Sequence, residues 1–259
     1  MAHLPRFFLV WLSTVLLAAC AGAPPPDTRP WSVQTAERLE HSLTPDRVAL
    51  APQQAAEDLE RALRHYALAD NQEGQLRCHL KLARLYLQLG AAENARPHVA
   101  DALRIAARLD DPSPRFQSAL LEARLSNRRA DYEAALDAAV TPIEVATVLT
   151  YLGRTDEAYR AIRPHLEQAG EAAADYAFVL HHYARQSRDM EAARLTLELY
   201  KQSDNPAGTA GALYLMGRIA RENQAPARAR GYLERALAVS RALEDNDSVR
   251  RIETALEGL

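Results

Sequence analysis

Few residue groupings in this chain have the types and spacing that catalysis needs. His181 and His182 are adjacent, as are Cys78 and His79; on a helix, neighbours project roughly 100° apart, which suits packing and surface better than shared metal ligation. Glu37 with Glu40, and Asp156 with Glu157, are acid pairs of the kind that general acid and base work uses, but charged neighbours on helices ordinarily form a solvated face. The sequence has no His-Glu-x-x-His pair, no glycine-rich phosphate loop and no Gly-x-Ser-x-Gly. No catalytic residue, metal ligand or cofactor is therefore expected.

One cysteine is placed for covalent chemistry of another kind. Leu17-Ala18-Ala19-Cys20 closes the apolar run from Phe7 to Ala19, which follows Arg6 and is shorter than the roughly 20 apolar residues that cross a bilayer. The tetrapeptide resembles the lipobox of bacterial lipoproteins. That resemblance implies that residues 1–19 are a signal peptide, that the Cys20 thiol receives a diacylglycerol, and that the chain is cut before Cys20 and acylated on the new amino group. The membrane would then be reached through a lipid anchor. Ala21 rather than aspartate follows the cysteine, which in lipoproteins similar to those of enteric bacteria favours the outer membrane, facing the periplasm. With Cys20 lipidated, Cys78 is the one thiol left. No intrachain disulfide can form, and its apolar helical surroundings predict a buried, inert group.

The charge balance narrows the partners. Lys and Arg total 31 against 34 Asp and Glu, a formal net charge of -3, and loss of Arg6 with the signal makes the remainder more negative. This is no nucleic-acid-binding composition. Other classes of partner stay open.

Positioning such a partner falls to helices. Residues 20–45 read as the lipidated cysteine and a flexible linker, with Ala21-Gly22-Ala23-Pro24-Pro25-Pro26-Asp27 as a proline-rich spacer; within it Trp31 to Leu43 is compatible with a short helix. Beyond it, residues 46–259 form the folded array. From Gln53 onward apolar residues recur at three and four spacing with no convincing period-2 run, which predicts an all-helical protein. Thr141-Pro142-Ile143-Glu144 is a capping box with its proline, and Ser113-Pro114 and Asn205-Pro206 repeat the cap-and-proline signal. Breaks at Gly90, Gly153, Ser203 to Asn205 and Asn223-Gln224 cut the chain into short helices that pair as antiparallel hairpins.

An internal repeat runs through these hairpins. Ala83, Tyr86, Gly90, Ala95, Val99 and Ala102 fall at steps of three, four, five, four and three residues; Gly217, Ala220, Gln224, Ala229, Leu233 and Ala236 repeat them, as do Ala146, Leu149, Gly153, Ala158, Ile162 and His165. Two antiparallel helices approach closely only where a small residue on one receives a bulky side chain from the other, so the alternation has a packing cause. Weaker copies run through Ala123, Ser126, Ala130, Ala135 and Ala139 and through His181, Ala184, Arg188, Ala193, Leu197 and Tyr200, while Ala55, Leu59 and Ala62 carry a second-helix signature alone. Pro142 forces the helix before it to stop near Val140. A gap of only 23 residues between Ala135 and Ala158, against 40 before it, predicts an irregular middle unit. Val249, Ile252 and Leu256 lie on one face of Asn246 to Leu259, a helix suited to covering the exposed end of an array.

This pattern resembles the tetratricopeptide repeat over roughly Ala55 to Ala242. The resemblance implies an α-solenoid, a right-handed superhelix of antiparallel helix pairs, and a groove lined by the first helix of each pair. In that family the residue after the small packing position points into the groove; here those positions are Arg84, Arg124, Thr147, His182 and Arg218. One turn later stand Leu87, Asn127, Thr150, Arg185 and Arg221. Five arginines in one groove suit carboxylates, since a guanidinium fork adds geometry to charge. The expected partner is an acidic or C-terminal peptide segment. The function implied is that of a non-enzymatic membrane-anchored scaffold or adaptor in cell-envelope, pilus or secretin assembly; the alternative is a cell-wall enzyme or the accessory domain of a cell-wall hydrolase.

Overall fold

A computed structural model of the chain describes residues 28–109 and 111–259, so the stretch read as a signal peptide, Cys20 and the stretch read as a spacer to Asp27 lie outside the described residues. Among the described residues helices account for every regular element. The chain divides into two compact units, the first ending at Gln75 and the second beginning at Leu76.

The first unit holds α1 (Trp31–His41), α2 (Pro45–Leu50), α3 (Pro52–Leu68) and the first turn of α4 (Gln72–Gln88). The short helix compatible with Trp31 to Leu43 is therefore present inside the stretch read as linker, and it packs on α3. Val33 and Ala36 of α1 are buried, as are Ala55, Leu59, Ala62 and Tyr66 of α3. The buried Tyr66 hydroxyl donates to Glu40 Oε2 at 2.5 Å. Asp58, with 3% of its side chain exposed, accepts from Arg47 at 2.6 Å and Arg61 at 3.2 Å. Burying a carboxylate this fully is costly unless its oxygens find such partners.

The second unit continues through α4 and then α5 (Ala92–Ala106), α6 (Pro112–Ser126), α7 (Arg129–Asp137), α8 (Pro142–Tyr151), α9 (Thr155–Ile162), α10 (Ala173–Ser187), α11 (Met190–Gln202), α12 (Pro206–Glu222), α13 (Pro226–Ala242) and α14 (Asn246–Glu257). Helices pack on their neighbours in chain order from α5 to α14, and α8 touches α10 and α10 touches α12. Such nearest-neighbour packing is the order expected of an α-solenoid. The core follows it as a series of clusters: one joins α4 to α6 through Leu80, Ala83 and Val99, one joins α6 to α8 through Phe116, Tyr132 and Val148, and a larger one runs onward to Ile252.

The small residues of the repeat are where the helices meet. Ala83, Ala95, Ala146, Ala158, Ala193, Ala229 and Ala236 have no exposed surface. At Gly217 the approach is closest: a Cβ there would lie 2.7 Å from Leu233 Cγ and 2.8 Å from Leu233 Cδ2, and Leu233 itself is 1% exposed. The small-against-bulky contact inferred from spacing is thus a direct one between α12 and α13.

The turns share one device. Asp70, Gly90, Asn127, Gly153, Arg188, Asp204, Gln224 and Glu244 each follow a helix in the left-handed region, with φ between 47° and 76°. In the six turns at Asn71, Ala91, Arg154, Asn205, Ala225 and Asp245, the amide after the left-handed residue donates to the carbonyl five residues back, at 2.8–3.0 Å. This closes the helix end that would otherwise leave carbonyls unpaired. In the second copy the turn falls at Asn127 rather than at Ala130, which lies inside α7; the left-handed residue comes three residues earlier relative to the small residue Ala123 than Gly90 does relative to Ala83.

Caps follow side-chain chemistry with one correction. Thr141 accepts from the Glu144 amide, and Glu144 Oε2 accepts from the amides of Val140 and Thr141 at 2.9 Å each, the complete box. Asn205 Oδ1 accepts from the Gly208 amide at 2.8 Å. At α6, however, the cap is Asp111, which accepts from the Ser113 amide at 2.9 Å, with Pro112 first in the helix. Pro114 fits inside because the first four amides of a helix have no intrahelical acceptor to lose. The irregular middle unit is present: α9 gives way to 3₁₀ turns over Arg163–Gln168 and Gly170–Ala172. At the C-terminal end α14 packs on α13, buries Ile252, pairs Glu253 with Arg241 at 2.7 Å and sets the Arg251 guanidinium over the Tyr214 ring.

Candidate binding groove

In the second unit one cavity of about 690 Å³ is lined from four of the helices that open a pair, α4, α6, α8 and α10, with Tyr200 and Asn205 at its edge. Arg84, Arg124 and Thr147 all face it, and these are the first three positions that the repeat register assigned to a groove. The remaining positions do not join them. His182 stands beside the cavity, its ring 4.7 Å from that of Phe178; Arg218 lies 3.9 Å from Glu222, which also pairs with Arg188 at 3.0 Å; Arg221 lies near Gly258 at the end of α14; Arg185 acts electrostatically on His181 and His182. Of the five arginines, Arg84 and Arg124 line this cavity, and Arg185, Arg218 and Arg221 do not.

The row one turn later explains part of the difference. Thr150 is buried, its hydroxyl donating to the Ala146 carbonyl at 2.8 Å; Leu87 packs on the core; Asn127 is the left-handed turn residue. Three residues along a helix fall about 60° short of a full turn and four overshoot by about 40°. It is the fourth residue, Gln88 after Arg84 and Tyr151 after Thr147, that lines the cavity.

The walls are mixed in character. Phe116, Leu120, Leu121, Ile143, Tyr151 and Phe178 supply apolar surface. Tyr132, Tyr151, Phe178 and His182 form a ladder of rings with successive centroids 5.4, 5.3 and 4.7 Å apart, near the separations at which aromatic pairs attract. Thr147 donates its hydroxyl to its own helix at the Ile143 carbonyl, 2.8 Å away. Arg84 Nη2 donates to Gln117 Oε1 at 2.7 Å, tying α4 to α6.

A carboxylate completes the set. Asp175 stands one turn before Phe178 on α10 and faces the same cavity. Solvent reaches both Arg84 and Asp175, yet the surrounding walls displace much of their water. Burial accordingly pulls the Arg84 guanidinium below its ordinary pKa, with Asp175 opposing and Arg124 adding to the effect. It raises the Asp175 carboxyl, with Arg84 opposing. These shifts are the signature of charges set in a recess rather than on an open face. Asp175, Tyr151 and Phe178 were not among the residues read from the sequence; the signal was there one and two turns before His182 and one turn after Thr147, on the same helix faces.

The acid and histidine candidates are placed for structure. Glu37 pairs with Arg29 at 2.6 Å, Glu40 accepts from Tyr66 and Glu157 pairs with Arg154 at 2.6 Å. Cys78 is fully buried, as expected, while its neighbour His79 points to another face, its Nδ1 3.1 Å from His98 Nδ1. His181 takes a position where the repeat has a small residue, and its buried Nδ1 has no hydrogen-bond partner among the described residues. Among the described residues no group of three or more His, Cys, Asp or Glu could hold a metal ion, and no helix is long and apolar enough to cross a membrane. No protein-family model matches the chain, and no curated protein matches it in sequence.

Proposed function

We propose that this chain is a non-enzymatic tetratricopeptide-type scaffold, a right-handed superhelix anchored by lipid at Cys20 to the outer membrane, that holds a peptide segment of a protein partner on its periplasmic side. The observation that carries the reading is the meeting of Arg84 and Arg124, from successive first helices, in one cavity walled by Phe116, Tyr151 and Phe178. A recess of this size with apolar walls and a few convergent charges is what ligand sites look like, and it is built from rigid helices rather than loops. The anchor rests on Leu17-Ala18-Ala19-Cys20; acyl chains contribute about 0.8 kcal/mol per buried methylene, so two or more hold a protein at a surface and concentrate its partner there. Envelope, pilus or secretin assembly is the setting this plan suits.

The test is co-purification of the full-length protein from its native membrane in detergent, with mass spectrometry of the material retained. Arg84→Glu with Arg124→Glu should lose the partner while thermal unfolding stays nearly unchanged, and Arg218→Glu, outside the cavity, should keep it. Equal recovery with all three proteins would remove the groove from the reading. Cys20→Ser should abolish palmitate labelling and release the protein from membranes; continued labelling would refute the anchor.

A further inference from the structure

We infer that the segment held in this groove carries charges of both signs: a carboxylate for Arg84 and Arg124, and an ammonium or guanidinium for Asp175, beside an apolar or aromatic side chain laid on Tyr151 and Phe178. This rests on the peptide-binding reading above and narrows its ligand, because an acidic segment alone is what five arginines would have called for.

The argument starts from which charges in the cavity already have work. Two carboxylates line it. Glu144 is committed to the start of α8, where its Oε2 takes the Val140 and Thr141 amides. Asp175 makes no hydrogen bond or ion pair among the described residues; Arg84 acts on it electrostatically, but burial outweighs that influence and disfavours its charged form. On the opposite side Arg84 spends Nη2 on Gln117 and keeps the rest of its fork, while Arg124 makes no ion pair among the described residues and its charge works against that of Arg84. Two like charges held in one recess are relieved by an anion between them. A polyanionic ligand would place a negative group against Asp175, and a polycationic one would meet the two guanidiniums; like-charge contact in a partly dry site is costly in either case. A segment bearing one group of each sign satisfies all three. Between them, Tyr151 is 37% exposed at the centre of the ring ladder, an apolar surface available to a ring or aliphatic side chain.

The test uses the full-length protein in detergent and short, end-blocked, fluorescein-labelled peptides built around one tryptophan, read by fluorescence anisotropy. One peptide carries glutamate only, one lysine only, and two carry one of each in opposite order. Blocked ends keep a terminal carboxylate from standing in for the side chain. One of the mixed peptides should bind roughly tenfold more tightly than either single-sign peptide, the effect of one additional charge-assisted contact. Asp175→Asn should erase that preference and bring the glutamate peptide level with the mixed one, and Arg124→Glu should weaken both. A wild-type protein that binds the glutamate peptide as tightly as both mixed ones, or an Asp175→Asn variant that keeps the mixed preference, overturns the two-sign inference and leaves the groove standing. Binding indifferent to Arg84→Glu and Arg124→Glu, or no binding by any peptide, overturns the peptide groove and this inference with it.

Discussion

Replacing Gly74 by alanine puts a methyl group where the Tyr66 ring already lies. A Cβ at Gly74 would overlap Cδ1, Cγ and Cε1 of that ring, the farthest of the three only 2.6 Å away. Carbon atoms attract down to roughly 3.5 Å and repel inside it, so the ring must retreat by about 1 Å. It has nowhere to go, because Tyr66 has no exposed surface and its hydroxyl is held by Glu40 at 2.5 Å. Overfilling a packed site of this kind costs about 1–3 kcal/mol. The preference of a helix for alanine over glycine returns about 1 kcal/mol, leaving a net loss of up to about 2 kcal/mol, with each kcal/mol lowering Tm by about 2–4 °C. Gly231 is the internal control: it is exposed in α13 with nothing within 4 Å of its Cβ position, so Gly231→Ala should gain about 0.5–1 kcal/mol. Urea unfolding followed by helical circular dichroism measures both. Equal stabilisation of the two variants would refute the packing of Tyr66 against the start of α4. The same geometry recurs in the second unit, where the Tyr200 ring would meet a Cβ on Gly208, so Gly208→Ala should fall with Gly74→Ala.

Acid should weaken the fold through two histidines. Burial, the largest influence at both, holds His79 and His181 at about 4 in place of 6.5; at His79 Asp101 opposes and His98 and Arg104 reinforce the shift, and at His181 His182 and Arg185 reinforce it. Because the folded pKa lies below the unfolded one, the unfolded chain takes the proton first: stability is complete above pH 6.5, falls as pH drops through the window to 4, and stops falling below it. By pH 5.5 each should cost on the order of 1 kcal/mol, so a double change to glutamine should flatten the difference between urea midpoints at pH 7.5 and 5.5; an unaltered pH dependence contradicts the assignment. At the helix starts, Thr141→Ala should cost about 1 kcal/mol through loss of its cap, while Ser113→Ala, whose helix is capped by Asp111, should stay within about 0.5 kcal/mol of neutral. Equal losses in thermal melts would mean that Ser113 rather than Asp111 closes α6.

Local chemistry carried far along this chain. The alternation of Ala83 with Val99, of Ala158 with Ile162 and of Gly217 with Leu233 marks sites that prove buried at helix contacts, because close approach of two helices can be satisfied by few residue types and leaves a trace at fixed spacing. Turns at Gly90, Gly153 and Gln224 and the box at Thr141 were legible for the same reason, since each resolves unpaired backbone groups within one turn of helix. Where two neighbours offered the same chemistry, as Asp111-Pro112 and Ser113-Pro114 do, local rules could not choose between them, and the choice fell to the Asp111 carboxylate.

The groove lies at the limit of that reading. The resemblance to the tetratricopeptide repeat assigned Arg84, Arg124 and Thr147 to one face, while the sequence by itself determined the all-helical class, the irregular unit after Pro142 and the closing helix from Asn246. That Arg218 and Arg221 stand outside the cavity, that Gln88 and Tyr151 replace Leu87 and Thr150 in its wall, and that Asp175 comes to act electrostatically on Arg84 from six helices away were decided only by tertiary structure. Periodicity specifies which residues share a side of one helix, whereas the rotation and offset between successive pairs, accumulated over the irregular middle unit, specify which of those sides look at each other.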